Sequence, residues 1–141
     1  MNVVRIEDDD ELAAAFAIRR AVFIEEQEVP EELELDEKDE TATHVLATVD
    51  GEPVGTARLI DYDGVGKVQR VAVRRAHRGT GVGEALMAKV EALAREEGYD
   101  ELVLDAQVPV IGFYETLGYE VRDDEPFLDA GIPHKRMGKV L

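Results

Sequence analysis

The chain has 141 residues, with 32 acidic and 16 basic side chains, a formal net charge of -16 at pH 7 and no cysteine. The absence of cysteine excludes disulfides, thiolate metal sites and a cysteine nucleophile, and the acidic charge argues against nucleic acid as a partner, because phosphate backbones require a basic surface. At this length we expect one domain over residues 1–141. No apolar run approaches the roughly 20 residues that cross a bilayer, so we expect the protein in the cytoplasm and away from membranes.

The first elements are a strand and a long helix. Residues 2–6, "NVVRI", alternate in the manner of a strand, and residues 8–27 follow as a helix. Asp8 is the expected N-cap, with Glu11 three residues later. Leu12, Phe16 and either Val22 or Phe23 are the expected buried stripe of this helix.

Residues 25–40, "EEQEVPEELELDEKDE", hold ten carboxylates in sixteen positions around Pro30, which predicts a loop or a short frayed helix. Two interpretations compete. The segment is either a solvated acidic face or a negative rim that attracts a cationic substrate. The high background of acidic residues favours the solvated face.

The middle of the chain predicts a hairpin followed by a strand–helix–strand unit. Residues 43–64 contain two β-rich runs that turn at Asp50-Gly51, and residues 67–73 form a further, central strand. Residues 82–97 place Val82, Leu86, Val90 and Leu93 on one side of a helix that Gly98 ends. Residues 100–106 read as a buried strand, so the unit predicts a parallel crossover.

The last part of the chain predicts one short helix and an antiparallel strand pair. Pro109 begins the helix "PVIGFYETL" and Gly118 closes it. Residues 119–124 and 134–140 then form the pair, and the segment 125–133 joins them.

Arginine and glycine cluster directly before the helix at residue 82, in "RGTGVG" at residues 78–83. Glycine lets backbone N–H groups approach an anion closely, and a helix N-terminus adds partial positive charge. The spacing fits neither a dinucleotide fingerprint, which requires glycines at i, i+2 and i+5, nor a nucleoside-triphosphate loop, which requires Gly-Lys-Ser/Thr. A diphosphate would fit at this loop, although its spacing matches neither of these two patterns.

The pattern Arg-x-x-Gly-x-Gly at Arg78, Gly81 and Gly83, with "VAV" before it and "FYETLGY" after it, resembles the acyl-coenzyme A loop of the GNAT superfamily of N-acetyltransferases. "AVFIEEQEVPEE" and "EPFLDAGIPHKRM" look like its ElaA-like and YjcF-like branch. The resemblance covers nearly the whole chain. It implies a single α/β GNAT domain over residues 1–141, with a mixed, mostly antiparallel sheet and helices on both faces.

The resemblance also implies a site for acetyl-coenzyme A. The matching residues on the strand, in the loop and at the helix start are Val71, Ala72, Val73, Arg78, Gly79, Thr80, Gly81, Val82, Gly83 and Glu84. Gln107 stands where many relatives carry Asn seven residues before a tyrosine. Arg74, Arg75 and His77 either meet the 3′-phosphate or only balance nearby acids.

Tyr114 matches the tyrosine whose hydroxyl points at the coenzyme sulfur in this family, so the resemblance implies that it is the general acid. Spacing alone fits a core residue equally well, because Val110, Phe113, Tyr114 and Leu117 form one helical stripe. The general base is not assigned. Some relatives carry a carboxylate at the start of the fourth strand, and the matching position in this sequence falls near Lys67. The candidates are Glu26, Asp129, His44, water and His134, which lies beside the expected acceptor side.

The expected activity is transfer of an acetyl group from acetyl-coenzyme A to a primary amine on a small molecule or peptide, by direct attack and without a covalent enzyme intermediate. The alternatives are an acyl-coenzyme A-binding regulatory module without turnover and, on glycine content alone, a nicotinamide-dependent oxidoreductase. No metal is expected, because His44, His77 and His134 are far apart in sequence. The sequence does not determine the oligomeric state, and a homodimer is one alternative. Eleven arginines, five lysines and the acid excess are typical of a halophilic protein that works in concentrated salt.

Overall fold

The computed structural model describes residues 1–141 and contains eight strands and four α-helices. The strands are β1 Asn2–Arg5, β2 Thr43–Val49, β3 Glu52–Tyr62, β4 Val65–Val73, β5 Glu101–Gln107, β6 Glu120–Val121, β7 Phe127–Asp129 and β8 Ile132–Val140. The helices are α1 Asp9–Arg19, α2 Glu31–Glu34, α3 Val82–Glu96 and α4 Ile111–Thr116. None of them combines the length and apolar character needed to cross a membrane.

All strands join one sheet in the order β1-β2-β3-β4-β5-β8-β6, and β7 pairs with the edge of β8. Only β4 and β5 run parallel. The prediction of a mixed, mostly antiparallel sheet with a parallel crossover is therefore confirmed. The hairpin at Asp50-Gly51 is confirmed as well, because both turn residues have positive φ angles, 52° and 79°, as a tight two-residue turn requires.

Helices pack on both faces of this sheet because side chains alternate along its strands. Val45 and Ala47 of β2 point into the larger core beneath α3. Leu46, between them, joins Ala15, Ile18 and Val22 in a smaller core beneath α1. The two-sided architecture predicted from the sequence is confirmed.

The predicted N-cap of α1 is confirmed, since the Asp8 side chain accepts a hydrogen bond of 2.7 Å from the Glu11 N–H. The predicted buried stripe is confirmed only for Val22. Leu12 and Phe16 are only half-buried, and the buried face consists of Ala15, Ile18, Arg19 and Val22. This face includes the buried side chain of Arg19. The helix then continues as a π-helical segment over Arg20–Glu26.

The acidic segment 25–40 is not simply a solvated face. Its carboxylates Glu34, Asp36 and Asp39 turn inward to bind arginines from three other elements. Arg19 of α1 donates two hydrogen bonds of 2.7 Å to the Glu34 carboxylate. Both side chains are buried, with exposed fractions of 1% for Arg19 and 2% for Glu34. The prediction missed this because spacing along an acidic run cannot show which carboxylates have partners.

Arg58 and Arg70 complete this buried ionic network, which we define as Arg19, Arg58, Arg70, Glu34, Asp36 and Asp39. Arg58 of β3 binds Asp36 at 2.7 Å and Asp39 at 2.8 Å. Hydrogen bonds from Arg58 hold the pKa of Asp36 at about 2. Burial alone would raise the pKa of Asp39, but hydrogen bonds from Arg19 and Arg58 outweigh it and keep this pKa below its ordinary value.

The C-terminal region follows the prediction with one addition. A 3₁₀ turn over Val108–Val110 leads into α4, and β6 pairs with β8 as expected. The segment 125–133, predicted only as a connection, also contains β7, which pairs with β8 through a turn at Ala130-Gly131. This hairpin places Phe127 opposite His134.

The buried ionic network yields a stability prediction. Asp39→Asn keeps the shape of the side chain but removes a charge that two buried arginines share, so we expect the free energy of unfolding to fall by about 3 kcal/mol. Urea denaturation followed by circular dichroism measures it. Glu40→Gln, the same chemical change on the exposed neighbour, is the control and should stay within about 0.5 kcal/mol of the parent. Equal losses in both variants would contradict a structural role for the network.

Candidate active site

Strands β4 and β5 pair only over Gly66–Val68 and Leu102–Leu104 and then separate. A bulge lies just past this point, where the register of β3 against β4 shifts between Thr56 and Arg58. At the bulge Arg70 adopts a φ of 57°, and its guanidinium donates to the carbonyls of Leu33 and Glu34 at 3.1 Å. The separated strands form the walls of a cavity of about 770 Å³.

The predicted coenzyme residues gather along one half of this cavity. Those that line it are Val71, Ala72, Val73, Arg78, Gly79, Gly81, Gly83 and Glu84. Beyond Val68, no residue of β4 pairs with β5, so this edge of the strand is open toward the cavity. The loop then delivers the chain to the N-terminus of α3.

The loop glycines are needed for their backbone conformation. Gly79 and Gly81 have φ angles of 75° and 91°, in the region that side chains other than glycine rarely adopt. No atom lies within 4 Å of where their Cβ atoms would stand. Gly83 differs, because a Cβ there would lie 3.1 Å from the ring of Phe113. The first two glycines thus expose the loop backbone, while the third permits α3 to pack against α4.

Two predicted loop residues do not line the cavity with the others. The Thr80 hydroxyl donates to the carbonyl of His77 at 2.5 Å, and Val82 is buried in the core. The guanidinium of Arg78 donates to the Val73 carbonyl at 2.9 Å and pairs with Glu26 at 2.8 Å. Arg74 donates to the Pro53 carbonyl, whereas His77 reaches the cavity wall.

Tyr114 of α4 lines the cavity from the α3 side of the sheet. It also packs in the core, where its ring meets Phe113 and Tyr119 edge to face at 5.0 and 6.0 Å. Tyr114 is thus a core residue that also lines the cavity, and its role as general acid stays a prediction. Burial raises the pKa of Tyr114 to about 12, so the phenol is protonated at neutral pH. Its hydroxyl makes no hydrogen bond to another side chain.

His134 of β8 lines the opposite half of the cavity and is 8% exposed. Its Nδ1 lies 2.6 Å from the carbonyl of Ile132, so this nitrogen carries the proton and donates. Nε2 is then an acceptor without a protein partner. The ring of Phe127 stacks on the imidazole at a centroid distance of 6.0 Å and fixes its plane.

Gln107 lies beside His134 in the register of β5 and β8 and connects the two cavity walls. Its amide donates to the Gln27 side chain at 3.0 Å, and Gln27 follows the π-helical segment. Sequence reasoning did not single out Gln27, because one amide among ten carboxylates carries no distinguishing pattern. The two amides form a bridge across the cavity.

The structure sorts the other candidates for the general base. Asp129 lines the cavity at the turn of the β7–β8 hairpin. Glu26 is held by Arg78 and lies outside the cavity lining, and His44 is buried elsewhere, with Nε2 3.0 Å from the Asp39 carbonyl. No group of three His, Asp or Glu side chains is arranged to hold a metal ion.

Comparisons with known proteins agree with this fold. A family model described as the acetyltransferase (GNAT) domain matches residues 5–141. YjcF of Bacillus subtilis, named an uncharacterized N-acetyltransferase, is 39% identical over 139 residues, which cover 99% of each chain.

Two crystal structures are similar along nearly the whole chain. A protein of Lactobacillus plantarum superposes with a TM-score of 0.91 at 31% identity and covers 99% of this chain and 97% of its own. ElaA of Escherichia coli superposes with a TM-score of 0.86 at 28% identity and covers 98% of each. The chain belongs to the GNAT family of acetyltransferases and is similar to YjcF and ElaA.

Proposed function

We propose that the protein transfers an acetyl group from acetyl-coenzyme A to a primary amine by direct attack. The observation that carries the proposal is the convergence on one cavity of an exposed glycine loop at a helix N-terminus, a protonated phenol and an imidazole with a free nitrogen. Family membership makes acyl transfer the expected chemistry. The acceptor and the individual steps rest on the residues of this chain.

The coenzyme would enter along the open edge of β4. Val71, Ala72 and Val73 would pair with the pantetheine arm through their backbone groups. The pyrophosphate would accept hydrogen bonds from N–H groups of residues 78–84, aided by the partial positive charge of the α3 N-terminus. Gln107 would meet the coenzyme on the opposite wall. The Arg78–Glu26 ion pair is exposed enough to rearrange at little cost.

The acid and base roles follow from protonation and position. Nε2 of His134 would accept a proton from the amine as its nitrogen attacks the thioester carbon. The tetrahedral intermediate would then collapse with cleavage of the carbon–sulfur bond, and the Tyr114 hydroxyl would protonate the departing thiolate. The balance is one amide and one free thiol. Because no enzyme atom becomes acylated, the absence of cysteine is no obstacle.

Thiol release from acetyl-coenzyme A in the presence of a panel of amines tests the proposal. We expect release that depends on the acceptor and yields its N-acetyl derivative in equal amount. Coenzyme A binding without release for any acceptor would instead support a binding module, and no binding at all would refute the site.

Gly81→Ala should weaken coenzyme A binding about tenfold, because a φ of 91° strains any side chain and the loop must change shape to relieve it. Gly64→Ala is a matched control: Gly64 has a φ of 89° in the β3–β4 turn and equally open surroundings. It should cost similar stability and leave the calorimetric Kd unchanged. An equal loss of affinity in both variants would contradict the role of the loop.

Tyr114→Phe should lower kcat about a hundredfold while the Kd for acetyl-coenzyme A stays near the parent value, because only the proton donor is lost. Tyr119→Phe also removes a buried hydroxyl, one that bonds Glu91 at 3.2 Å, and serves as the control for packing and stability. Its kcat should not change. An unaltered kcat in Tyr114→Phe would exclude the acid role.

His134→Asn should lower kcat/KM about a hundredfold, since the proposed proton acceptor is lost. His44→Asn replaces the other buried histidine and should keep the parent kcat/KM. Initial rates of thiol release measure both. A kcat/KM near the parent value in His134→Asn would assign the base to another group, with Asp129 the next candidate.

A further inference from the structure

The closed end of the cavity carries a cation that the protein leaves incompletely bound. Lys67 of β4 lines the cavity at the point where β4 still pairs with β5. Its side chain is only 12% exposed. The ammonium lies 3.3 Å from Asp105 Oδ2 and 4.6 Å from the centre of the Tyr62 ring.

Asp105 does not neutralise this lysine, because Arg136 shares it. The Arg136 guanidinium is paired with the same carboxylate through Nε, and its Nη2 lies 3.4 Å from the second oxygen. Arg136 also lies over the Tyr62 ring, at 5.4 Å. The cluster of Lys67, Asp105 and Arg136 therefore has two positive charges and one negative charge.

The Lys67 ammonium also has N–H donors that no protein group accepts. The ion pair with Asp105 is long, and no protein acceptor completes a hydrogen bond of good geometry with the ammonium. The other cations on the cavity wall differ in this respect. Arg70 donates to the Leu33 and Glu34 carbonyls, and Arg78 donates to Val73 and Glu26. A largely buried cation without sufficient protein acceptors needs water or a ligand to supply them, and an anionic ligand group would do so best.

The remaining carboxylates around the cavity do not supply them. Glu34 is bound by Arg19 and lies at 3.3 Å from Arg70. Glu84 belongs to the first turn of α3, on the coenzyme side, and Asp129 is exposed on the hairpin at the mouth. The excess positive charge at Lys67 thus faces the space where an acceptor would lie.

We propose that the acceptor amine carries an anionic group, a carboxylate or a phosphate, which binds Lys67 at the closed end of the cavity. This inference rests on the proposed function. Asp105, beside Lys67, and Gln107, beside His134, are two residues apart on β5, a distance of about 7 Å. The amine and the anion are accordingly separated by several bonds, as in an ω-amino acid. A polyamine would place like charge against Lys67.

Matched acceptor pairs test the proposal without changing the amine. The pairs are γ-aminobutyrate and its carboxamide, ε-aminocaproate and its carboxamide, and ethanolamine phosphate and ethanolamine, with spermidine as the cationic probe. In the parent protein we expect kcat/KM for thiol release to favour at least one anionic member over its neutral partner by about tenfold or more. The carboxylate and phosphate arms identify which anion is preferred.

Variants at Lys67 then assign the preference to this side chain. Lys67→Met should reduce the ratio of anionic to neutral acceptor to about twofold or less, whereas Lys67→Arg should retain it. Lys89→Met, which removes the same charge from α3 on the other face of the sheet, should leave the ratio at the parent value. Coenzyme A affinity, measured by calorimetry, should be the same in all three.

The outcomes separate this inference from the function on which it rests. Thiol release with neutral amines or spermidine at rates equal to or above those of the anionic partners would overturn the inference and leave acetyl transfer standing. A preference that survives in Lys67→Met would also overturn it. Absence of thiol release with every acceptor would refute the proposed function itself.

Discussion

The ion pair between Arg19 and Glu34, together with its extension to Arg58, Arg70, Asp36 and Asp39, is the constraint on which the site depends. These ion pairs hold the acidic segment against the sheet, on the face opposite α3. The segment therefore forms one wall of the cavity. Breaking one member would leave buried charges without partners, which is far more costly than breaking a surface pair. The network therefore acts less as a source of net stability than as a device that permits one arrangement of this wall.

The same network reaches the point where the sheet opens. Arg70 adopts a left-handed backbone conformation at the bulge of β4. Its guanidinium donates to both the carbonyl and the carboxylate of Glu34 in α2. Strain at a bulge persists only where surrounding contacts hold it. The α2 segment thus stabilises the bulge just beyond the last paired residues of β4 and β5, and the separation of these strands exposes the edge of β4. One group of contacts therefore holds both one wall of the cavity and the strand edge along which we propose that the coenzyme binds.

The elements predicted from the sequence are those with local causes. Asp8 caps its helix, Asp50-Gly51 turns its hairpin and the period of Val82, Leu86 and Val90 defines α3, so each could be inferred without the fold. The loop glycines were found for the same reason. The partners of Arg19 and Lys67 could not be found, because ion pairs between residues far apart in sequence depend on the sheet register. The prediction of a solvated face for residues 25–40 failed for this reason. Three of the ten carboxylates face inward, and composition does not distinguish them from the others.

Net charge and local charge are separate quantities in this protein. The whole chain carries -16, yet the cavity contains the cations Lys67, Arg70 and Arg78, and only Lys67 lacks sufficient acceptors. Surface carboxylates act through water and are screened within about 10 Å at moderate salt, whereas a charge with 12% of its side chain exposed acts at short range in a medium of lower dielectric constant. On the proposal made above, the charge close to the bound acceptor would govern which acceptor binds, whereas the net charge of the surface would govern solubility and the rate of encounter. An anionic acceptor would approach an acidic protein slowly, and a short-range contact with the largely buried Lys67 would offset that cost by slowing dissociation.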